Sequence, residues 1–278
     1  MKLKKIIFVL TIISMGIFAG CEKGRKLIQI KGSDTMLNLG QKIAEEAMKS
    51  NKGMKIAVTG GGSGTGIAAI INKTVDIAQS SRDIKEKEIE QAKAGGTEIK
   101  EYIVAYDGIT VIVNKENPVK NLTTDQLRSI YIGEITNWKE LGGEDLPIVV
   151  TSRDSSSGTH LFFKEHILRK GNEKGPEEYR KDALFLPANQ SIVDEVTKNK
   201  AAIGYIGMGY MTEAVHGVSI NGIEPTVENV ANKSYSISRG LIWALNGEPQ
   251  GDLKIFLDFM LSEKGQEIVK KEGFVPVK

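Results

Sequence analysis

Apolar residues along this chain follow two rhythms, and their alternation carries the fold. Short apolar runs at 27–30, 55–58, 75–78, 99–104, 109–113, 148–150 and 202–206 have the length and β-branched content of buried strands. Between them lie stretches with helical spacing: 37–49, 67–71, a polar surface helix at 86–94, and one opening at the Thr123-Thr124-Asp125 cap and running through Ile130. Further helices are predicted near 161–168, over 193–198, and as one long C-terminal element over 253–271. Strand–helix alternation of this kind predicts an α/β fold with parallel strands joined by crossover helices. No repeat, low-complexity linker or Pro-rich break divides the chain, so two domains would have to be joined through strands.

The N-terminus follows neither rhythm. Lys2, Lys4 and Lys5 precede an uncharged, mostly apolar stretch at 6–19. That is shorter than the roughly 20 residues a membrane-spanning helix needs and fits a signal peptide. Phe18-Ala19-Gly20-Cys21 follows, and Cys21 is the single cysteine of the chain. The segment resembles a bacterial lipobox with Phe18 where leucine is usual. That resemblance implies cleavage before Cys21, acylation of its sulfur, and 258 of 278 residues exported and lipid-anchored to the cell membrane, with 22–26 as a polar tether.

Charge narrows the partners. The chain has 37 Lys and Arg against 35 Asp and Glu, and removing the three leader lysines leaves 34 against 35. A near-neutral mature chain argues against nucleic acid, which needs a basic face. Apolar content of 40% and charged content of 26% suit a packed globular protein with room for one large domain or two smaller ones. One cysteine excludes a disulfide framework and any multi-cysteine metal site.

Three places carry candidate chemistry. A short strand runs into small hydroxyl or glycine residues that open a helix at Gly32-Ser33-Asp34-Thr35-Met36, again at 60–66 (GGGSGTG), and again at Arg153-Asp154-Ser155-Ser156-Ser157-Gly158-Thr159. Helix N-termini present unpaired N–H groups and partial positive charge, so they attract anions. One such start is ordinary capping. Three of them, one with an arginine whose donor fork matches an oxyanion, point to a shared anion site. The glycine run lacks the Lys-Ser/Thr of a nucleotide P-loop, and Thr65 stands where a nucleophile elbow needs glycine. His160 and His166 are six apart and His216 stands alone, so no metal pair forms, and each reads as a surface or cap-adjacent residue.

Taken together, these segments resemble the phosphate-binding lipoproteins of bacterial phosphate ABC transporters. The likeness extends over nearly the whole mature chain. Besides the three helix starts it includes 75–82 (VDIAQSSR), 105–109 (AYDGI), 111–118 (VIVNKENP), 132–143 (IGEITNWKELGG), 202–207 (AIGYIG) and 262–266 (SEKGQ). The resemblance implies a two-lobed, Venus-flytrap fold of the type II periplasmic-binding-protein class with two hinge crossings. Lobe one would hold 27–106 plus 239–278, and lobe two 107–238. It also implies a receptor, not an enzyme, that binds inorganic phosphate in the cleft and delivers it to a membrane permease, as a monomer without a cofactor.

Position by position, the resemblance assigns Ser33, Thr35, the Met36 N–H, Ser63 and Ser81 to one side of the anion. Arg153, Ser157, the Gly158 N–H and Thr159 face them, and Arg82 either donates to the anion or pairs with a neighbouring acid. Some family members place an aspartate where this chain has Ser81, as acceptor for the proton of bound phosphate. Asp107 is the expected substitute here, with a hinge-turn role as its alternative. Asp154 is expected to orient Arg153 or cap the helix. Sulfate or another oxyanion is the nearest rival ligand, and an exported phosphatase on the same cradle is the rival from another class.

Overall fold

The computed structural model describes residues 25–278; the export signal and Cys21 lie outside the described residues. In chain order the elements are β1 (Leu27–Gly32), α1 (Leu37–Ser50), β2 (Lys55–Thr59), α2 (Ser63–Ile71), β3 (Ile77–Ser80), α3 (Glu86–Ala94) and β4 (Ile99–Asn114). Then come β5 (Asn121–Leu122), α4 (Thr124–Ile132), β6 (Val149–Arg153), α5 (Gly158–Phe163), β7 (Leu184–Leu186), α6 (Asn189–Lys198) and β8 (Ala202–Gly207). The chain closes with β9 (Val215–Gly217), β10 (Ser219–Ile220), α7 (Val227–Ala231), β11 (Ser238–Asn246), α8 (Gly251–Leu261) and α9 (Glu263–Lys271).

Nine of these strands form one curled sheet in the order β2-β1-β3-β11-β4-β8-β6-β7, with β9 also on β4. Parallel pairing joins β1 to β2 and β3, and β6 to β7 and β8. The centre departs from the all-parallel expectation, because β11 runs antiparallel to both β3 and β4, and β4 runs antiparallel to β8. β4 is the element that joins the two halves. Its residues from Ile99 to Gly108 pair with β11, and those from Ile109 to Val113 pair with β8. The chain leaves the first half inside this strand and returns to it at the start of β11.

Helices cover both faces of each half. Along β3, Ile77 turns toward α1 and α8 in one core cluster while Ala78 turns toward α2 and α3 in another. This is the period-2 alternation of a strand buried on both sides. In the second half, Val111 and Val113 face α4 and α5, and Ile112 faces α6. In α1 the buried positions Leu39, Gly40, Ile43, Ala44 and Ala47 fall on one stripe, as helical spacing requires.

Three predicted boundaries moved for identifiable reasons. The runs at 99–104 and 109–113 are a single strand, because Asp107 and Gly108 are buried in a close approach instead of forming a turn; a Cβ on Gly108 would lie 2.6 Å from Val230 Cγ2. The long C-terminal helix is two, broken at Ser262, whose extended backbone and side-chain bond to the Gly265 N–H start α9. The strand β11 was not anticipated. Its Ser-Arg-Gly opening reads as a turn, and its core is buried on both faces and shows no alternation.

Gly32, at the end of β1, has φ +147°, and a Cβ there would sit 2.1 Å from the Gln79 carbonyl oxygen of β3. Both atoms belong to paired main chain, so neither can yield locally. Gly32→Ala is expected to destabilise the protein by about 3 kcal/mol or more, read as a lowered urea midpoint at unchanged slope. A midpoint within error of the parent would show that the two strands can spread at this point.

Candidate anion-binding site

Each of the three helix starts lies at the C-terminal end of a strand, where crossover connections of open α/β sheets place their ligands. β1 leads into the Ser33–Met36 turn, β2 into the glycine run and α2, and β6 into the Asp154–Ser157 loop and α5. The end of β3 adds Ser80 and Ser81. Folding brings these four segments together, although they are scattered over 120 residues of chain.

The hydroxyls converge. Ser33 Oγ donates to Ser81 Oγ at 2.8 Å, and Ser63 Oγ lies 3.3 Å from the same atom. Thr35 Oγ1 and Thr159 Oγ1 are 2.8 Å apart, across the two halves. A Cβ on Gly158 would fall 2.3 Å from Ser63 Oγ and 2.8 Å from Ser81 Oγ, so glycine there is what lets the first turn of α5 approach the opposite half. All of these residues are buried.

Several donors have their direction fixed. The Ser81 N–H donates to Ser63 Oγ at 3.0 Å, and the His160 N–H to Ser157 Oγ at 3.3 Å. An N–H cannot accept, so each of these hydroxyls keeps its own proton free to donate. Gly158 and Thr159 occupy the first turn of α5, whose N–H groups have no intrahelical acceptor. The arrangement is a buried, donor-rich cradle drawn from both halves.

The cations are paired, each differently. Arg153 donates from Nε to the Leu186 carbonyl and from Nη2 to the Pro187 carbonyl, and its Nη2 lies 3.3 Å from Asp34 Oδ2. Its Nη1 is buried with no hydrogen-bond partner among the described residues. Burial pushes the guanidinium below its ordinary value against the opposing pull of Asp34, yet arginine stays a cation at any working pH. Asp34 also accepts from the Asn189 N–H and side-chain amide, tying the first helix start to α6.

Other predicted residues went elsewhere. Arg82 is turned away from the cluster: its guanidinium grips both oxygens of Glu88 at 2.7 and 2.8 Å, because that carboxylate in the first turn of α3 is within easy reach. The Met36 N–H, expected to face the anion, closes a tight turn on the Ser33 carbonyl at 3.1 Å. Asp154 caps the loop through Ser156 and makes no bond to Arg153. Asp107 does reach the cluster, but its carboxylate is turned onto Arg239: Oδ2 accepts from Nε at 3.0 Å and Nη2 at 2.7 Å, while Oδ1 accepts from the Met208 N–H. Burial raises the Asp107 carboxyl above its usual range, and Arg239 opposes that shift.

Arg239 and Asn189 were missed at the sequence level. Arg239 donates to Asp107, to the Ser81 carbonyl at 2.7 Å and to Thr159 Oγ1 at 2.9 Å. A charged residue at the head of an apolar run was the available signal, and it could be used only once that run was known to lie beside Asp107.

The PBP superfamily domain matches residues 19–264 of the chain. A phosphate-binding protein PstS of Borreliella burgdorferi is 33% identical over 99% of this chain and 100% of its own length. The chain belongs to the PBP superfamily, in its PstS branch. Among solved structures, a phosphate ABC transporter substrate-binding protein from Clostridium perfringens with bound phosphate is 39% identical, with a TM-score of 0.83 over 91% of this chain and all of that one. An ABC-type phosphate transport receptor from Vibrio cholerae is 31% identical with a TM-score of 0.72, covering 89% and 99% of the two chains.

Behind the cradle, an aromatic layer fixes α5. Phe163 stacks on Tyr205 at 4.0 Å, and hydroxyls link Ser152 to Tyr205 (2.7 Å), Tyr205 to Tyr179 (2.8 Å) and Tyr179 to the His160 carbonyl (3.0 Å). Of the two readings for His160, surface or cap-adjacent, the structure takes the second: its N–H meets the Ser157 cap, its ring is buried in this layer, and burial pushes the imidazole down to about 4. The unfolded chain protonates it near its ordinary value of 6.5. Stability from this group is therefore full above that value and declines as pH falls toward 4, by up to about 3 kcal/mol. His160→Gln is expected to flatten the fall of urea stability between pH 6.5 and 4.5 relative to the parent. Parallel curves for the two proteins would remove His160 from the acid sensitivity.

Proposed function

We propose that this chain is an extracytoplasmic receptor that binds inorganic phosphate between its two halves and delivers it to the permease of a phosphate ABC transporter. The observation that carries the reading is the convergence of hydroxyl donors from both halves in a buried cluster, close to an arginine whose Nη1 has no partner among the described residues. The relatives at 31–39% identity are named as phosphate-binding or phosphate-transport proteins, and one was solved with phosphate bound. The lobes of this receptor are 27–106 plus 239–278 and 107–238, meeting where β4 changes partners. The leader and Cys21 place it on the outer side of the cell membrane through a lipid anchor. Among the described residues no helix is long and apolar enough to cross a membrane.

The function is binding without turnover. Hydrolysis would need an activated nucleophile or metal ligands. Ser63 and Ser157 accept from backbone N–H groups, which leaves their protons to donate, and the Asp154 carboxylate beside Ser156 Oγ also takes the Ser156 N–H as a turn cap. The site acts by replacing the water shell of the anion with oriented donors. Hydrogen bonds to a charged group contribute about 1.5–3 kcal/mol each, so six or more could supply the roughly 8 kcal/mol of a micromolar complex after desolvation and closure are met.

The test is calorimetric titration of the protein lacking residues 1–21, stripped of carried-over anion by partial unfolding and dialysis, with phosphate and with sulfate. Micromolar or tighter phosphate binding with little response to sulfate is expected; sulfate binding alone would reassign the ligand, and silence for both would refute the receptor. Arg153→Ala is expected to weaken phosphate by about a hundredfold or more, since truncating one member of a buried charged site costs about 2–5 kcal/mol. An unchanged dissociation constant would take Arg153 out of the site.

A further inference from the structure

We propose that Arg239 is a positioning residue of the anion site: it holds the Thr159 hydroxyl in the one orientation that donates toward the ligand and ties that donor to both strand crossings. The inference rests on the anion-binding reading above and adds a residue and a role to it.

The geometry is specific. Arg239 on β11 lies directly opposite Asp107 on β4 in the strand register, and the pair is 2% and 0% exposed. The carboxylate takes Nε–H and one Nη2–H, the Ser81 carbonyl takes Nη1, and Thr159 Oγ1 takes the second Nη2–H. Four of the five guanidinium protons are thereby assigned, which leaves Arg239 little capacity to grip an anion itself. Its effect passes through the groups it touches.

What it does to Thr159 follows from hydrogen-bond valence. A guanidinium can donate but never accept. Its bond at 2.9 Å fills one acceptor position of Thr159 Oγ1 and turns the threonine proton away from Arg239, on the side of the cluster where Thr35 Oγ1 lies at 2.8 Å and can either accept from it or donate to its remaining lone pair. Backbone N–H groups impose the same polarity on Ser63 and Ser157. Thr159 is the member of this set whose direction is set by a side chain. Arg239 also packs over the Phe162 ring, 5.6 Å from its centroid, and so braces α5 at a second point.

The position of Arg239 gives this contact a second consequence. Its strand carries the returning crossing, its carboxylate partner sits on the outgoing one, and its Nη1 holds the end of β3 in the first half. Thr159 belongs to the second half. The Arg239–Thr159 bond is therefore the point where a donor of the second half is registered against a frame built from the first half and both crossings.

The experiment is a double-mutant cycle on phosphate affinity in the stripped, tag-free mature protein. Parent, Arg239→Lys, Thr159→Val and the double variant are titrated with inorganic phosphate. Lysine preserves the charge facing Asp107 but cannot reach Asp107, Ser81 and Thr159 at once. Arg239→Lys and Thr159→Val should each weaken phosphate by about tenfold or more. The double variant should be within about threefold of the weaker single, because Arg239 acts through Thr159.

Losses that multiply, or an Arg239→Lys protein that binds like the parent, overturn the proposal. If Arg239→Lys does not fold, the neutral pair Asp107→Asn with Arg239→Gln takes its place with the same expectation. A parent that binds no phosphate refutes the anion-binding reading and this inference with it. A parent that binds, with independent losses in the cycle, refutes the inference alone.

Discussion

A carboxylate and a guanidinium, Asp107 and Arg239, face each other across two antiparallel strands at the place where β4 exchanges one partner for another. Taking two charges out of water costs several kcal/mol per ion after relaxation. The pair is tolerable only because nearly every polar atom on it is satisfied, by the Met208 N–H, the Ser81 carbonyl and Thr159. That requirement fixes the register of β4 against β11, the end of β3 and the start of α5 at once. Surface ion pairs elsewhere on the molecule, such as Lys254–Asp258, lie more than half exposed and constrain almost nothing by comparison.

The cradle depends on this frame because neutral donors recognise a charge only when they are already aimed. A serine in water loses as much in turning toward an anion as it gains in the bond. Here the cost of orientation is met in folding: N–H groups and Arg239 occupy the acceptor side of Ser63, Ser157 and Thr159, and their protons have few other directions available. Arg153 adds the full positive charge that hydroxyls lack. Its pairing with Asp34, which Asn189 also holds, keeps it in register with the first helix start, while its Nη1, without a partner among the described residues, keeps capacity in reserve.

The sequence made the segments of this site readable, but not the way in which they are joined. Three strand-to-helix starts with hydroxyl and glycine residues marked Thr35, Ser63, Ser157, Gly158 and Thr159 as candidates, and the fold brings them together; they could be marked because capping chemistry is local. For Arg82 the sequence left two roles open, and the structure takes the pairing with a neighbouring acid, Glu88, while the Met36 N–H turns onto the Ser33 carbonyl instead of the cluster. Both partners lie within six residues, and nothing in a linear pattern weighs such local alternatives against a distant ligand. Arg239 was invisible while β11 was unassigned, since a strand buried on both faces has no alternation. The fold class was legible from strand–helix alternation, whereas the antiparallel centre was not, because strand direction is set by tertiary pairing.

The contacts between the halves fall into two physical classes, and the division says how closure and recognition can be separate. Inside, Thr35–Thr159 and Arg239–Thr159 are buried, and Arg153–Asp34 is buried on the arginine side and 14% exposed on the aspartate side. At the rim, Lys85 reaches from the start of α3 to Glu165 at 2.7 Å and Glu173 at 3.0 Å, with Glu173 largely exposed. Added salt screens exposed charges over about 10 Å and leaves buried ones nearly untouched. Rim pairs of this kind therefore bear on how readily the halves come together. The inner set belongs to a different class, because its donors are placed by a frame that solvent screening scarcely touches.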